Sequence, residues 1–83
     1  MSTYAVQKIC DGNAACDSIY RVDIKLNKKD IWIYSTRQRF LHANVITNNG
    51  EDIQDYETES ELEKQYPKLM VIVRYIIFNK GDN

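Results

Sequence analysis

The pattern of hydrophobic and polar positions is most regular between Tyr20 and Leu26, where every second side chain is apolar. A period of two predicts a β-strand with one buried face and one solvated face. The polar segment 27–30 favours a turn, because Asn and Asp tolerate the backbone conformations that tight turns require. A weaker strand pattern covers 4–9 near the N-terminus.

The segment 31–36 predicts the returning strand of a hairpin. Successive side chains of a strand point to opposite faces, so Ile31 and Ile33 share one face and Trp32 and Tyr34 share the other. Both faces are therefore apolar or amphipathic. Either this strand is covered on both sides or its two aromatic residues form an exposed pair.

The segment 37–48 has two interpretations. Phe40 and Val45 suit one face of a helix, whereas the β-branched residues near its end lead directly into Asn49 and Gly50. Asn-Gly supplies the two positive-φ positions of a type I′ hairpin turn. We favour a strand that ends near residue 48 and a short partner strand over 51–56.

A short helix is predicted over 59–66. Thr58 and Glu61 have the spacing of a capping box, in which side chains satisfy the unpaired backbone amides of the first turn. Acidic residues in that turn suit the positive end of the helix dipole. Pro67 follows and ends the run.

The most apolar stretch is 70–78, which is hydrophobic at every position but Arg74 and rich in β-branched and aromatic residues. Such a composition predicts a central strand that is buried on both faces. The expected fold is therefore α+β: a small antiparallel, mostly meandering sheet of five to six strands, with one short helix at about 59–66. A chain of 83 residues is long enough for one domain, 1–83.

Composition and charge exclude several classes of protein. Hydrophobic residues make up 43% and charged residues 28%, and the formal net charge is −1, so no overall field attracts nucleic acid. The apolar stretch is far shorter than the roughly 18 residues that a membrane helix requires. The residues from Met1 to Tyr4 do not resemble a secretory signal, so we expect a cytoplasmic protein without membrane contact.

The amino-acid usage points to an AT-rich genome. Phe, Tyr, Met, Ile, Asn and Lys, whose codons are AT-rich, total 34 residues, against 12 for Gly, Ala, Arg and Pro. A phage or another mobile element is one common source of such a gene, and an AT-rich bacterium is the other. A phage protein would work in the host cytoplasm.

The sequence predicts neither a metal site nor catalysis. Cys10 and Cys16 are separated by five residues rather than the two of a zinc knuckle, and His42 is the single histidine. We expect two free thiols in a reducing compartment. With neither a nucleophile motif nor a glycine-rich phosphate loop, we expect a protein that is not an enzyme and has no cofactor.

One patch has the composition of a binding site: Trp32, Tyr34, Arg37, Arg39 and His42. If 37–48 is a strand, the two arginines project on the same face and could grip phosphates or carboxylates. Arg, Trp and Tyr are also the residues enriched at protein-binding hot spots. An ordinary solvated strand edge is the structural alternative. With the lysines at 25, 28 and 29, the patch could instead contact nucleic acid.

From these observations we expect a non-enzymatic protein that attaches to a cellular macromolecule, most simply a host protein, and modulates or inhibits it. Anti-defence and host-takeover proteins of phages are of this kind. The alternative is a small nucleic-acid-binding or ribonuclease-type module that uses the basic and aromatic patch. The acidic run 51–63 is a competing contact surface. A homodimer that pairs through a strand edge is expected, because a small core leaves apolar surface uncovered.

Overall fold

The computed structural model describes residues 3–47 and 52–81. Within these residues the strands form one antiparallel sheet whose spatial order follows the chain order, so the predicted α+β meander is confirmed. None of the helices in these ranges is long and apolar enough to cross a membrane. The elements are β1 (Thr3–Cys10), β2 (Ile19–Leu26), β3 (Lys29–Ser35), β4 (Phe40–Ile46), β5 (Ile53–Tyr56), α1 (Glu59–Gln65) and α2 (Leu69–Gly81).

Local sequence signals account for the hairpin of β2 and β3. Asn27 and Lys28 have φ angles of 53° and 66°, as a type I′ turn requires at both central residues. This turn fixes the pairing of the two strands, in which Asp23 lies opposite Trp32 and Arg21 opposite Tyr34.

Within the ambiguous region 37–56, the described residues form the favoured pair of strands, with β4 paired to the short strand β5. The predicted Asn49-Gly50 turn lies outside the described residues. The predicted helix is also confirmed, because α1 begins after the cap residue Thr58. The Thr58 hydroxyl accepts a hydrogen bond from the backbone amide of Glu61 at 3.2 Å and donates one to its carboxylate at 3.1 Å.

The core lies between one face of the sheet, called here the inner face, and the two helices. Helix α1 packs on β4 and β5, and α2 packs on β1 and β2. The alternation of buried and half-buried residues along β2 and β3 shows that the helices cover one face only. The buried apolar residues are Tyr20, Val22, Ile24, Ile31, Ile33, Phe40, Ala43, Val45, Leu62, Leu69, Met70, Val73, Ile76 and Ile77.

The predicted central strand over 70–78 is wrong, because this segment lies within helix α2. Apolar residues at every position look alike in a strand buried on two faces and in a helix that is apolar all round. The short helix α1 buries only Leu62 and cannot cover five strands. A second helix is therefore needed to cover β1 and β2, and tertiary packing overrides the β propensity of the segment.

An ion pair joins the two helices. The guanidinium group of Arg74, in the middle of α2, donates two hydrogen bonds to the carboxylate of Glu59 in the first turn of α1, one of them at 2.9 Å. Between the helices the chain turns at Pro67 and Lys68, and Lys68 has a φ angle of 71°. The pair orients α2 on the sheet, with the flank that carries Arg74 toward α1.

Candidate functional site

The face of the sheet opposite the helices, called here the outer face, is covered by neither helix. The cross-strand pairs place its side chains in rows that run across the sheet. Trp32 lies at the middle of the central strand and is half-buried by its neighbours. The outer face consists of Ala5, Gln7, Arg21, Asp23, Lys25, Asp30, Trp32, Tyr34, His42, Asn44, Ile46, Ile53 and Asp55.

Arg21 is stacked on Trp32 at the centre of this face. Its guanidinium carbon lies 4.4 Å from the centre of the indole ring, within the range of a cation–π contact. Asp23 holds the guanidinium in place by accepting hydrogen bonds at 2.7 Å and 3.0 Å. These bonds raise the pKa of Arg21 above its ordinary value, against the opposing effect of burial. The result is a flat, charged and preoriented group over a large apolar ring.

A β-bulge places His42 beside the aromatic residues. The pairing of β3 with β4 shifts between Tyr34 and Ser35, so Phe40 points into the core although it lies only two residues before His42. The rings of His42 and Tyr34 are 6.3 Å apart between centroids and inclined by 40°. The bulge thus extends the aromatic surface from β3 onto β4.

Polar neighbours on β4 and β5 fix the orientation of the His42 ring. The Asn44 side-chain amide lies 2.9 Å from Nε2 of His42, and with its nitrogen on that side it also donates to Oδ1 of Asp55. The opposite orientation would bring the amide oxygen against two acceptors, the Ala43 carbonyl and Oδ1 of Asp55. Nδ1 lies 3.5 Å from a carboxylate oxygen of Glu57. Within the described residues, no group of three His, Cys, Asp or Glu side chains is arranged to hold a metal ion.

A shallow depression of about 320 Å³ lies beside Trp32, over the strands β1, β2 and β3. Ala5, whose side chain is short, lies opposite Asp23, and both residues line the depression. Arg21, Lys25 and the acidic Asp30 also line it. The depression could receive one side chain of a partner next to the stacked pair.

Arg37 and Arg39 do not project from a strand, so the expectation of two parallel guanidinium groups on a strand face is wrong. Strand β4 begins only at Phe40. Before it, Thr36 forms a tight turn in which its hydroxyl accepts from the backbone amide of Arg39 at 2.9 Å and its own amide donates to the Arg39 carbonyl. Such local side-chain bonds compete with a strand ladder. The two arginines lie at one end of the sheet, and Arg37 lines a depression with the β1–β2 loop.

The predicted patch is therefore divided between two places. Trp32, Tyr34 and His42 lie together on the outer face, whereas Arg37 and Arg39 lie at the end of the sheet. The lysines of the predicted nucleic-acid footprint are at or near the β2–β3 turn, at the opposite end of β3. A strand of this length spans about 23 Å, so these cations do not form one basic patch.

The acidic run is likewise not a single surface. Asp55 and Glu57 face His42 on the outer side of the sheet. Glu59 is paired with Arg74, and Glu61 caps α1. The outer face consequently has two halves: a cationic and aromatic half on β2 and β3, and an acidic half at the β4–β5 side.

Sequence reasoning missed the partners of the aromatic residues, namely Arg21, Asp23, Asn44 and Asp55. Arg21 and Asp23 read as ordinary solvated positions of a strand. The signal that could have identified them is the two-residue turn at Asn27. This turn sets the register between β2 and β3, and so determines which residues of the two strands lie opposite each other. The predicted Asn49-Gly50 turn offers a similar signal for Asp55, because a two-residue turn at this place implies that Asn44 pairs with Asp55, as β4 and β5 do.

Comparison with known proteins gives no match for this chain to a protein-family model, to a curated protein or to a solved structure.

Proposed function

We propose that this chain is a non-enzymatic binding protein that attaches to a macromolecular partner through the outer face of its sheet and thereby modulates or inhibits that partner. The observation that supports this proposal is the Arg21–Trp32 stack on a face that neither helix covers. A large ring and a guanidinium held by Asp23 lose little side-chain freedom on binding. Arg and Trp are also among the residues that dominate binding energy at interfaces.

The charge pattern of the outer face favours a protein partner over nucleic acid. Asp23, Asp30, Asp55 and the adjacent Glu57 outnumber Arg21 and Lys25, and Arg21 is already neutralised by Asp23. A phosphate backbone would be repelled at the β4–β5 side, whereas a protein surface can present basic groups there. The cations outside this face lie at opposite ends of the sheet, which weakens the nucleic-acid alternative further.

A partner in the host cytoplasm, and a phage or mobile element as the source, remain part of this proposal. The source is inferred from the AT-rich amino-acid usage, and the host cytoplasm is where a phage protein would work. The helix side of the molecule stays available for association with a second copy while the outer face is occupied.

Affinity capture with matched variants tests the proposal. A nuclease-treated bacterial lysate is passed over three tagged proteins: the wild type, Trp32→Ala and Phe78→Ala. A protein that is captured is then purified, and its affinity for each of the three is measured by titration. Phe78 is the control, since it is a large exposed side chain on α2. We expect Phe78→Ala to bind like the wild type and Trp32→Ala to bind about 30-fold more weakly, equivalent to about 2 kcal/mol.

Equal affinity of Trp32→Ala and the wild type for the captured protein would contradict the assignment of this face. Labelled single- and double-stranded oligonucleotides provide the other comparison. Binding of these that falls steeply between about 50 and 200 mM salt would support the nucleic-acid alternative instead.

A further inference from the structure

Helix α2 carries apolar side chains on the side that faces away from the sheet. Val71, Ile72, Tyr75 and Phe78 are between 52% and 69% exposed, although the same helix buries five apolar residues in the core. A surface helix of a globular protein normally presents polar residues on its outer side. A continuous exposed apolar strip of this size marks an interaction surface.

Part of this strip faces the β1 edge of the sheet. Arg74 contacts Glu59 and so marks the flank of α2 that faces α1. Ile72 precedes Arg74 by two residues, which is about 200° around a helix, and therefore lies on the opposite flank. Because α1 lies over β4 and β5, the opposite flank is on the β1 side. Tyr75 lies between this flank and the top of the helix.

Strand β1 is an open edge next to that flank. Within the described residues it pairs on one side only, with β2. Its eight residues include neither Pro nor Gly, and Lys8 is its single charged side chain. Its pairing with β2 is regular from Thr3 to Lys8, and an irregularity occurs only between Lys8 and Cys10, so most of the edge has no device that blocks pairing. Tyr4 pairs with the buried Ile24, which puts it on the inner face, where it is 63% exposed.

We propose that two copies of this chain form a twofold-symmetric dimer in which the β1 strands pair antiparallel and the α2 helices pack against each other. A twofold axis perpendicular to the sheet reverses the strand direction and keeps both inner faces on the same side. The two sheets then form one continuous sheet with both α2 helices on it. Tyr4, Ile72 and Tyr75 of each copy fill the space between the helices.

The spacing of the elements supports a second copy as the occupant. Helix α2 packs on both β1 and β2, and the proposed dimer places its axis over the boundary between them. With strands about 4.8 Å apart, pairing of the two β1 edges places the two α2 axes about 10 Å apart. Packed helices have axes roughly 8–10 Å apart, so both contacts form together without rearrangement.

The size of this contact predicts a dimer that dissociates on dilution. Two eight-residue strand edges and two helix flanks would bury roughly 1,200 Å², at the lower end of stable interfaces. Sedimentation equilibrium of the wild type between about 1 and 500 µM is therefore expected to show a monomer–dimer equilibrium. A strict monomer over this range overturns the proposal.

Two matched lysine variants locate the interface. Tyr75→Lys brings two positive charges together across the axis and should weaken the dimer by about 30-fold or more. Ile53→Lys is the control, because Ile53 is similarly exposed but lies on β5, at the other edge of the sheet. Circular dichroism of both variants should match the wild type, since neither side chain is in the core. A dimer weakened by Ile53→Lys and not by Tyr75→Lys contradicts the proposed axis.

Hydrogen exchange tests the strand contact separately. We expect β1 amides that do not bond to β2 to be protected at high protein concentration and to lose this protection on dilution or in Tyr75→Lys. Unprotected edge amides in a dimer would mean helix contact alone and overturn the paired sheet. A monomer that binds phosphatidylglycerol vesicles through Tyr75 would assign the strip to lipid and overturn the dimer.

Discussion

The guanidinium group of Arg21 lies over the indole ring of Trp32, 4.4 Å from its centre. The two residues are eleven positions apart in the sequence and meet because the β2–β3 turn sets their strands in register. A double-mutant cycle with Arg21→Met and Trp32→Leu should give a coupling of about 0.5–1 kcal/mol in the free energy of unfolding. Urea denaturation measures it, and additive single variants would show that the stack contributes nothing to stability.

The Glu59–Arg74 pair predicts a pH-dependent stability. The hydrogen bonds from Arg74 lower the pKa of Glu59 below its ordinary value of 4.5. A lowered folded-state pKa means that the stabilisation is fully present above the ordinary value and is lost as the pH falls through the lowered one. Both side chains are about one-third exposed, so solvent screens the pair and Glu59→Gln should cost about 1–2 kcal/mol at pH 7.

The difference in the free energy of unfolding between wild type and Glu59→Gln should shrink as the pH falls below 4.5 and through the lowered pKa, because the wild-type carboxylate is then protonated as well. Thermal unfolding across this pH range measures it. Asp52→Asn, which changes an exposed carboxylate, is the control and should leave the profile unchanged. A difference that is constant with pH would mean that Glu59 acts through packing rather than through its charge.

A substitution in the turn between β2 and β3 should increase the stability of the protein. Lys28 adopts a positive φ of 66°, which is unfavourable for a side chain with a Cβ and natural for Gly. Lys28→Gly should therefore raise the free energy of unfolding by about 1 kcal/mol. Lys29→Gly, one residue further in strand β3, should lower it by about 0.5–1 kcal/mol, because Gly weakens a strand. The same sign for both variants would contradict the type I′ geometry.

The loop between β1 and β2 depends on Gly12. A Cβ at this position would lie 2.5 Å from the backbone nitrogen of Ser18 and 2.7 Å from the carbonyl oxygen of Cys16. Both are backbone atoms, so the loop itself would have to move. Gly12→Ala should lower the free energy of unfolding by about 1–3 kcal/mol. Chemical denaturation that shows no change would mean that the loop adapts easily.

The sequence predicted the parts of the fold that depend on local signals. The alternation of apolar and polar residues predicts β2, the capping box predicts α1, and a cluster of polar residues predicts the turn at 27–30. The helix α2 could not be predicted in this way, because its apolar run is equally compatible with a helix and with a strand that is buried on both faces. What decides between them is the need to cover β1 and β2, which is a property of the whole sheet.

The candidate site was predictable to a similar extent. The aromatic residues of β3 stand out by composition, and strand alternation correctly separates them from Ile31 and Ile33. Arg37 and Arg39 were misplaced, because the hydrogen bonds of Thr36 end the strand before them. Arg21 and Asp55 reach the site through strand pairing, so predicting them requires two strands and the register that the turn between them sets.

The central claim is that partners bind the outer face, and the single tryptophan of the chain tests it directly. Protein labelled with 5-fluorotryptophan gives one fluorine resonance, which reports the environment of Trp32. We expect a stoichiometric amount of a captured partner to shift or broaden this resonance, and dilution of the free protein to leave it unchanged. An unaltered Trp32 resonance at saturating partner would contradict the claim.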